Sequence, residues 1–552
     1  MAADHGRASS KIRTTSGTGG NMDGNGKDAR QTGFAAQPLH RLRLAIAPVL
    51  LVFAIPLLLH VWDAWHDARR TQQANANYAT FMAEVRRAEG IADPLQRCLH
   101  YPNIPGTHWH DDSTQAYCRL LNPPSLSQAQ IASLLSQGKA GEVDTAFQGY
   151  LDAQLRDSSQ PGAFEGAFYA AGFRDSDAGT RKLIDQWKQQ APTSAFALVA
   201  SGMQYLDAAQ QARGEGWVSE LTNTQVRDMN TQLVLARNDL DRAVSLLPTA
   251  TAAYREMIYL AALSGDDVYM YQAAEAGLKV DPANFHIRKQ MMNQSQPKWG
   301  GMFGGVRKQR QEAEDHVARN PLLRMVTSMP AVYAAQCDCG YTKFESLKKV
   351  LRAADDNVDG NNLFDLAQVA YHLAPRPAIE LYSESLRFNP TDADILRWRA
   401  ELMMKLGDAN GAVQSVLQMA QRFPDNNEIA VALGNIYGKT GHVQEAEHTY
   451  EAILQRDPDD EKAMAWLGDL YNHAGHQPEK AKVLADTLIR RYPDIPDGYI
   501  VRACYLMDHD LPGRYETMHY FIDHFGDRSE FQAQVAEMRA YLVTHPEKIG
   551  QK

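Results

Sequence analysis

Residues 427–460 read NEIAVALGNIYGKTGHVQEAEHTYEAILQRDPDD, and their order decides the class of structure. Leu433, Gly434 and Tyr437 fall on a first helix, Gly441 in a turn, Ala446 and Tyr450 on a second helix, and Pro458 just after it. Small side chains at Gly434 and Ala446 let two helices approach closely, and large ones fill the space between them. A proline, having no amide hydrogen to donate, stops the second helix. The stretch therefore predicts a helix pair that closes before the next pair begins.

Outward from this unit the spacing repeats. Pro390, Pro424, Pro458 and Pro493 recur at intervals of 34, 34 and 35 residues. The following unit opens with Leu467, Gly468 and Tyr471, then shifts by one residue near Gln477 and Pro478. The preceding unit keeps Gly407, Ala412 and Pro424 but has Ala400 where the small glycine is expected. Such units bury their apolar faces only against neighbours, so several must stack. On these residues segment 359–510 resembles the tetratricopeptide repeat family, which implies an all-α fold, an alpha-alpha superhelix of stacked helix pairs. Residues 511–552, with YETMHYFIDHFG and FQAQVAEMRAYLV, are expected to form capping helices over the last repeat.

The resemblance implies a peptide-binding groove on the concave face lined by the first helix of each repeat. In this register the groove residues are Arg397, Glu401 and Lys405, then Asn435 and Lys439, then Asp469, Asn472 and His473. Arg397, Glu401 and Lys405 also have the spacing of a solvated ion-pair row, worth a few tenths of a kcal/mol per pair. A polar groove of mixed sign suits a peptide or partner helix better than acyl chains or nucleic acid.

A second signal lies upstream, where Pro248 and Pro282 are also 34 residues apart. Around them stand Ala212, Arg213 and Gly214, then Pro297, Trp299, Gly300 and Gly301. This order resembles a bacterial domain family of unknown function with an Ala-Arg-Gly and a Pro-x-Trp-Gly-Gly motif, and marks residues 191–345 as a repeat-like domain. The family implies no activity. Trp299-Gly-Gly reads as a turn that packs an indole under a helix pair rather than as a ligand site.

The remainder of the chain sets the context. At 552 residues, with 44% hydrophobic and 22% charged residues, the chain fits several soluble units or one extended array. A net charge of −10 and no basic run interleaved with aromatics exclude the footprint of a nucleic-acid binder. Residues 1–40 are rich in small polar residues and predict a disordered tail. Within an anchor of residues 41–65, the run LAIAPVLLVFAIPLLLHVW at 44–62 is long enough to cross a bilayer as a transmembrane helix. It exceeds the apolar core of a cleaved signal peptide, and no small-x-small site follows. Lys27, Arg30, Arg41 and Arg43 before it place the N-terminus in the cytoplasm and the repeats in the periplasm, at a bacterial inner membrane.

Between the anchor and the repeat-like domain, residues 66–190 predict a helical region with a disulfide loop, Cys98 to Cys118. Closing that loop contributes on the order of 3 kcal/mol and suits an oxidising compartment. The same loop carries His100, His108, His110, Asp111 and Asp112, which could ligate a divalent metal but match no zinc spacing. Cys337 and Cys339, in QCDCG, fit a local disulfide, a redox pair or a pair of metal ligands. No Walker loop, nucleophile elbow, dinucleotide fingerprint or HExxH helix is present. The sequence thus predicts a membrane-anchored scaffold for a protein or peptide partner, with no cofactor and no metal. Its rivals are an envelope enzyme, using either the cysteine pair or the histidine loop, and self-association into a homo-oligomer.

Overall fold

Each second helix of the repeats stops two residues short of a proline: Phe388 before Pro390, Arg422 before Pro424, Arg456 before Pro458 and Arg491 before Pro493. After the first three of these prolines, the residue two beyond caps the next helix. Asp392, Asn426 and Asp460 each accept, on the side chain, the backbone N–H three residues on, from Ile395, Ile429 and Ala463. Each such cap is worth about 1 kcal/mol. The result is a run of helix pairs, Ala393–Lys405 with Ala409–Arg422, Asn427–Lys439 with Val443–Arg456, and Glu461–His473 with Pro478–Arg491. The pair Gly360–Tyr371 and Pro375–Phe388 precedes them. Gly441 makes its turn at φ 82°, a conformation that costs a side-chain-bearing residue. Close approach is real: a Cβ on Gly434 would lie 2.6 Å from the Tyr450 ring, and one on Gly468 would lie 2.8 Å from Val501.

This is a computed structural model, and it describes residues 77–156, 161–214, 221–301, 304–337, 342–474, 477–528 and 531–547. The expected tail (1–40) and anchor (41–65, apolar run 44–62) lie outside these residues. Every regular element among the described residues is helical. None of those helices is long and apolar enough to cross a membrane.

Upstream of the repeats, Ala195–Arg213 and Asn223–Leu246 form a long pair in which Gly202 faces Leu240. Thr251–Ser264 and Asp267–Val280 follow between the two spaced prolines. The Trp299 motif is a short turn, Pro297–Trp299, but the expected packing of its indole is not found. Trp299 is 58% exposed, with the Lys298 ammonium 5.5 Å from its ring. The tight contact is made by glycine instead: a Cβ on Gly301 would meet the Ser295 carbonyl oxygen at 2.2 Å.

The apolar cores cross the order of the chain. One runs from Ile131 to Met291. Another joins Phe81–Leu120 to residues between Ala283 and Ile436, so the chain's earliest described helix, residues 77–89, lies against repeats some 300 positions later. Cys98 and Cys118 are joined in a disulfide inside this core. Arg387 Nε donates to the Cys98 carbonyl at 2.7 Å, and Trp109 Nε1 to the Ala354 carbonyl at 2.9 Å. Arg399, fully buried, pairs with Glu89 at 2.8 Å. At the far end, Met518 and Phe521 of Arg514–Phe525 and Val535 and Met538 of Gln532–Thr544 pack on Tyr499 and Ala503.

Candidate peptide-binding groove

The 34-residue period turns single positions into rows. Arg397, Val431 and Ala465 occupy one position of the first helix in three successive repeats, and Glu401, Asn435 and Asp469 another. Asp394, Glu428 and Lys462 form a third row. The first and third rows, with Asn435 alone from the second, line a cavity of about 340 Å³ that Trp466, Ile495 and Asp497 also line. Of the residues expected from sequence, Arg397 and Asn435 line it directly.

Charge in the groove is largely paired. Arg397 lies 3.1 Å from Asp394 and 3.6 Å from Glu401, with its guanidinium 4.3 Å from the Trp398 ring. Lys462 lies 2.8 Å from Glu428 on the preceding repeat, and that hydrogen bond raises its pKa. Glu401 also takes Lys439 from the following repeat. The i, i+4, i+8 row is therefore broken: Lys405 does not pair with Glu401 but donates to the Tyr371 hydroxyl at 2.7 Å and sits 4.3 Å from its ring. Asp469 lies 3.3 Å from His473. Desolvation in the concave face raises its carboxyl above the usual range, against the opposing effect of that histidine.

Asn472 turns elsewhere, donating to the Val501 carbonyl at 2.9 Å as a strut to the next helix. Asp394, Glu428, Lys462 and Trp466 were not among the expected residues. Stepping 34 residues from Arg397 and Trp398 leads to Val431 and Ala465 and to Ala432 and Trp466, so the period itself carried the signal.

Residues 431–496 match the family model described as tetratricopeptide repeat. That interval spans the middle of the groove. No curated protein sequence matches the chain. Among solved structures, a tetratricopeptide repeat protein from Parabacteroides merdae is 14% identical over 52% of this chain and 98% of its own, with a TM-score of 0.32. Yeast Tom70 is 12% identical over 76% of this chain and 95% of its own, with a TM-score of 0.34. Tetratricopeptide arrays in general present a concave surface that serves as a scaffold for other proteins.

The residues of the enzyme readings go to other partners. His100 Nδ1 lies 2.8 Å from the Gln96 carbonyl, His108 Nδ1 2.7 Å from the Asp355 carboxylate, and Asp112 2.9 Å from Arg324. His110 is engaged through its backbone, to Asn357. Among the described residues, no group of three or more His, Cys, Asp or Glu is placed to hold a metal ion. Cys337 is disulfide-bonded, and Cys339 lies outside the described residues. Cys504 is a free thiol whose pKa burial pushes up to about 12, leaving almost no thiolate at neutral pH.

Proposed function

We propose that this chain is an adaptor, tethered to a bacterial inner membrane by residues 44–62, that holds a protein partner in the tetratricopeptide groove on the periplasmic side. The observation that supports the groove most directly is that two full rows of first-helix residues, with Asn435 and Trp466, line one cavity of mixed charge. The partner is an extended peptide or helix whose polar side chains exchange with the Arg397–Asp394 and Lys462–Glu428 pairs. Its remaining contacts fall on Glu401, Lys405, Lys439, Asp469 and His473 beside the cavity. The disulfide between Cys98 and Cys118 agrees with an oxidising compartment.

In-cell crosslinking followed by mass spectrometry tests this reading. An Asn435→Trp variant fills the cavity, and a Lys405→Glu/Lys439→Glu variant reverses charge beside it. A partner captured by the native chain and lost from both variants is the expected result. A set of crosslinked proteins that is the same in all three would remove the groove from the account. Alkaline phosphatase fused after residue 70 is expected to be active, and an inactive fusion would overturn the periplasmic assignment.

A further inference from the structure

A second cavity, of about 700 Å³, lies between the N-terminal segment and the second helices of two repeats, Pro375–Phe388 and Ala409–Arg422. Three arginines, Arg97, Arg387 and Arg422, line it, with Leu121, Phe388 and Phe423 supplying apolar walls. One acid, Glu89, is part of the lining, and its carboxylate is held by Arg399 at 2.8 Å and by the Tyr101 hydroxyl at 3.0 Å. Arg387 is likewise matched, to Glu384 at 2.8 Å.

Among the described residues Arg97 forms no ion pair of its own, although the Glu89 carboxylate, whose Oε2 also lacks a hydrogen-bond partner, attracts its charge. Arg97 is 3% exposed, and its Nε has no hydrogen-bond partner. Arg422 gives its terminal nitrogens to the backbone carbonyls of Glu89 and Ala92, which hold it in place without neutralising it. Burial first, and the neighbouring Arg422 charge second, lower the Arg97 pKa from its ordinary value, against the opposing pull of Tyr101 and Glu89. A buried guanidinium with an unpartnered Nε is costly, and an anion seated beside it would offset that cost. The backbone around it is fixed: Arg97 adjoins Cys98, and Leu121 and Asn122 follow soon after Cys118, so the disulfide ties two walls of the cavity together.

We propose that this cavity binds a small anion bearing an apolar group, with Arg97 and Arg422 taking a carboxylate or phosphate and Leu121, Phe388 and Phe423 taking the apolar part. Planar guanidinium groups suit both headgroups, through paired charge-assisted hydrogen bonds.

Calorimetric titration of the full chain in detergent tests this, using 3-phenylpropanoate, phenyl phosphate and the uncharged 3-phenylpropanamide as probes. Saturable binding of one or both anions is expected, and the tighter of the two identifies the headgroup. The amide should bind about tenfold more weakly or worse. Arg97→Met should lose at least about tenfold in affinity while raising the melting temperature of the ligand-free chain, because it removes a buried charge. Leu121→Glu changes a side chain that is 40% exposed and should also abolish anion binding, by placing a carboxylate at the wall. Absence of saturable binding by the native chain, or unchanged affinity in Leu121→Glu, would overturn the proposal. So would unchanged affinity in a folded Arg97→Met.

Discussion

Glu380 borders a smaller cavity walled by Ile104, Pro105, Leu351 and Leu381, and burial raises its carboxyl to about 7 despite the opposing charge of Arg376. The sign of the consequence follows from linkage. Below about pH 4.3, the unfolded value for Glu, both states hold the proton. Between there and pH 7 the unfolded chain releases it while the folded chain does not, so this residue's contribution falls as pH rises. Glu380→Gln should therefore leave the melting temperature nearly unchanged at pH 4 and raise it by a few degrees at pH 8. A difference that stays flat across that range would refute the assignment. Glycines offer a second test at this scale. A Cβ at Gly434 collides with Tyr450, whereas one at Gly438 would meet only Leu470, at an ordinary 3.5 Å. Gly434→Ala is expected to cost about 1–3 kcal/mol, and Gly438→Ala to gain up to about 1 kcal/mol, both read by urea denaturation.

Among the elements, the helix over residues 77–89 has the least local reason to be where it is. Its attachment includes the buried Glu89–Arg399 pair, together with Arg422 donating to the Glu89 carbonyl. Glu89→Ala would leave Arg399 buried without its counter-charge, at a cost of about 3–5 kcal/mol, while Glu89→Leu/Arg399→Met should recover most of that. Equal destabilisation by the single and double variants would show that the pair is not what holds the helix. No sequence reading finds this contact, since it matches two residues among 56 basic and 66 acidic ones with nothing local to single them out. The repeats were legible for the opposite reason: a proline stop and a capping Asp or Asn act within a few residues, and a glycine meets its ring within the same repeat. The groove was legible in part. Arg397 and Asn435 sit on rows that the period defines, while Asn472 is in register with Met404 and Gly438, the packing row, and so turns toward Val501. The Trp299 indole, expected under a helix pair, is exposed, and nothing local in the sequence signalled that.

At the scale of the whole molecule, the disulfide and the N-terminal segment act together. Cys98→Ala/Cys118→Ala should lower the stability of the core shared by residues 81–120 and 283–436 by about 3 kcal/mol. The repeats beyond residue 440, whose core meets that one only through the helix Asn427–Lys439, should lose much less. Hydrogen exchange resolved along the chain distinguishes this from a uniform loss. The distance between Glu89 and Arg399 has a consequence in time as well as in energy. The two lie 310 residues apart. At about 5–20 residues per second of synthesis, Glu89 precedes its partner by roughly 15–60 s. Cys98 and Cys118, only 20 residues apart, can meet within that interval. The N-terminal segment is thus stapled early and seated late, and a chain that ends before Arg399 leaves Glu89 and its apolar neighbours without a seat. Completion of the repeats is therefore registered at the opposite end of the polypeptide, where a protease or chaperone that surveys exposed apolar helix would distinguish finished chains from unfinished ones.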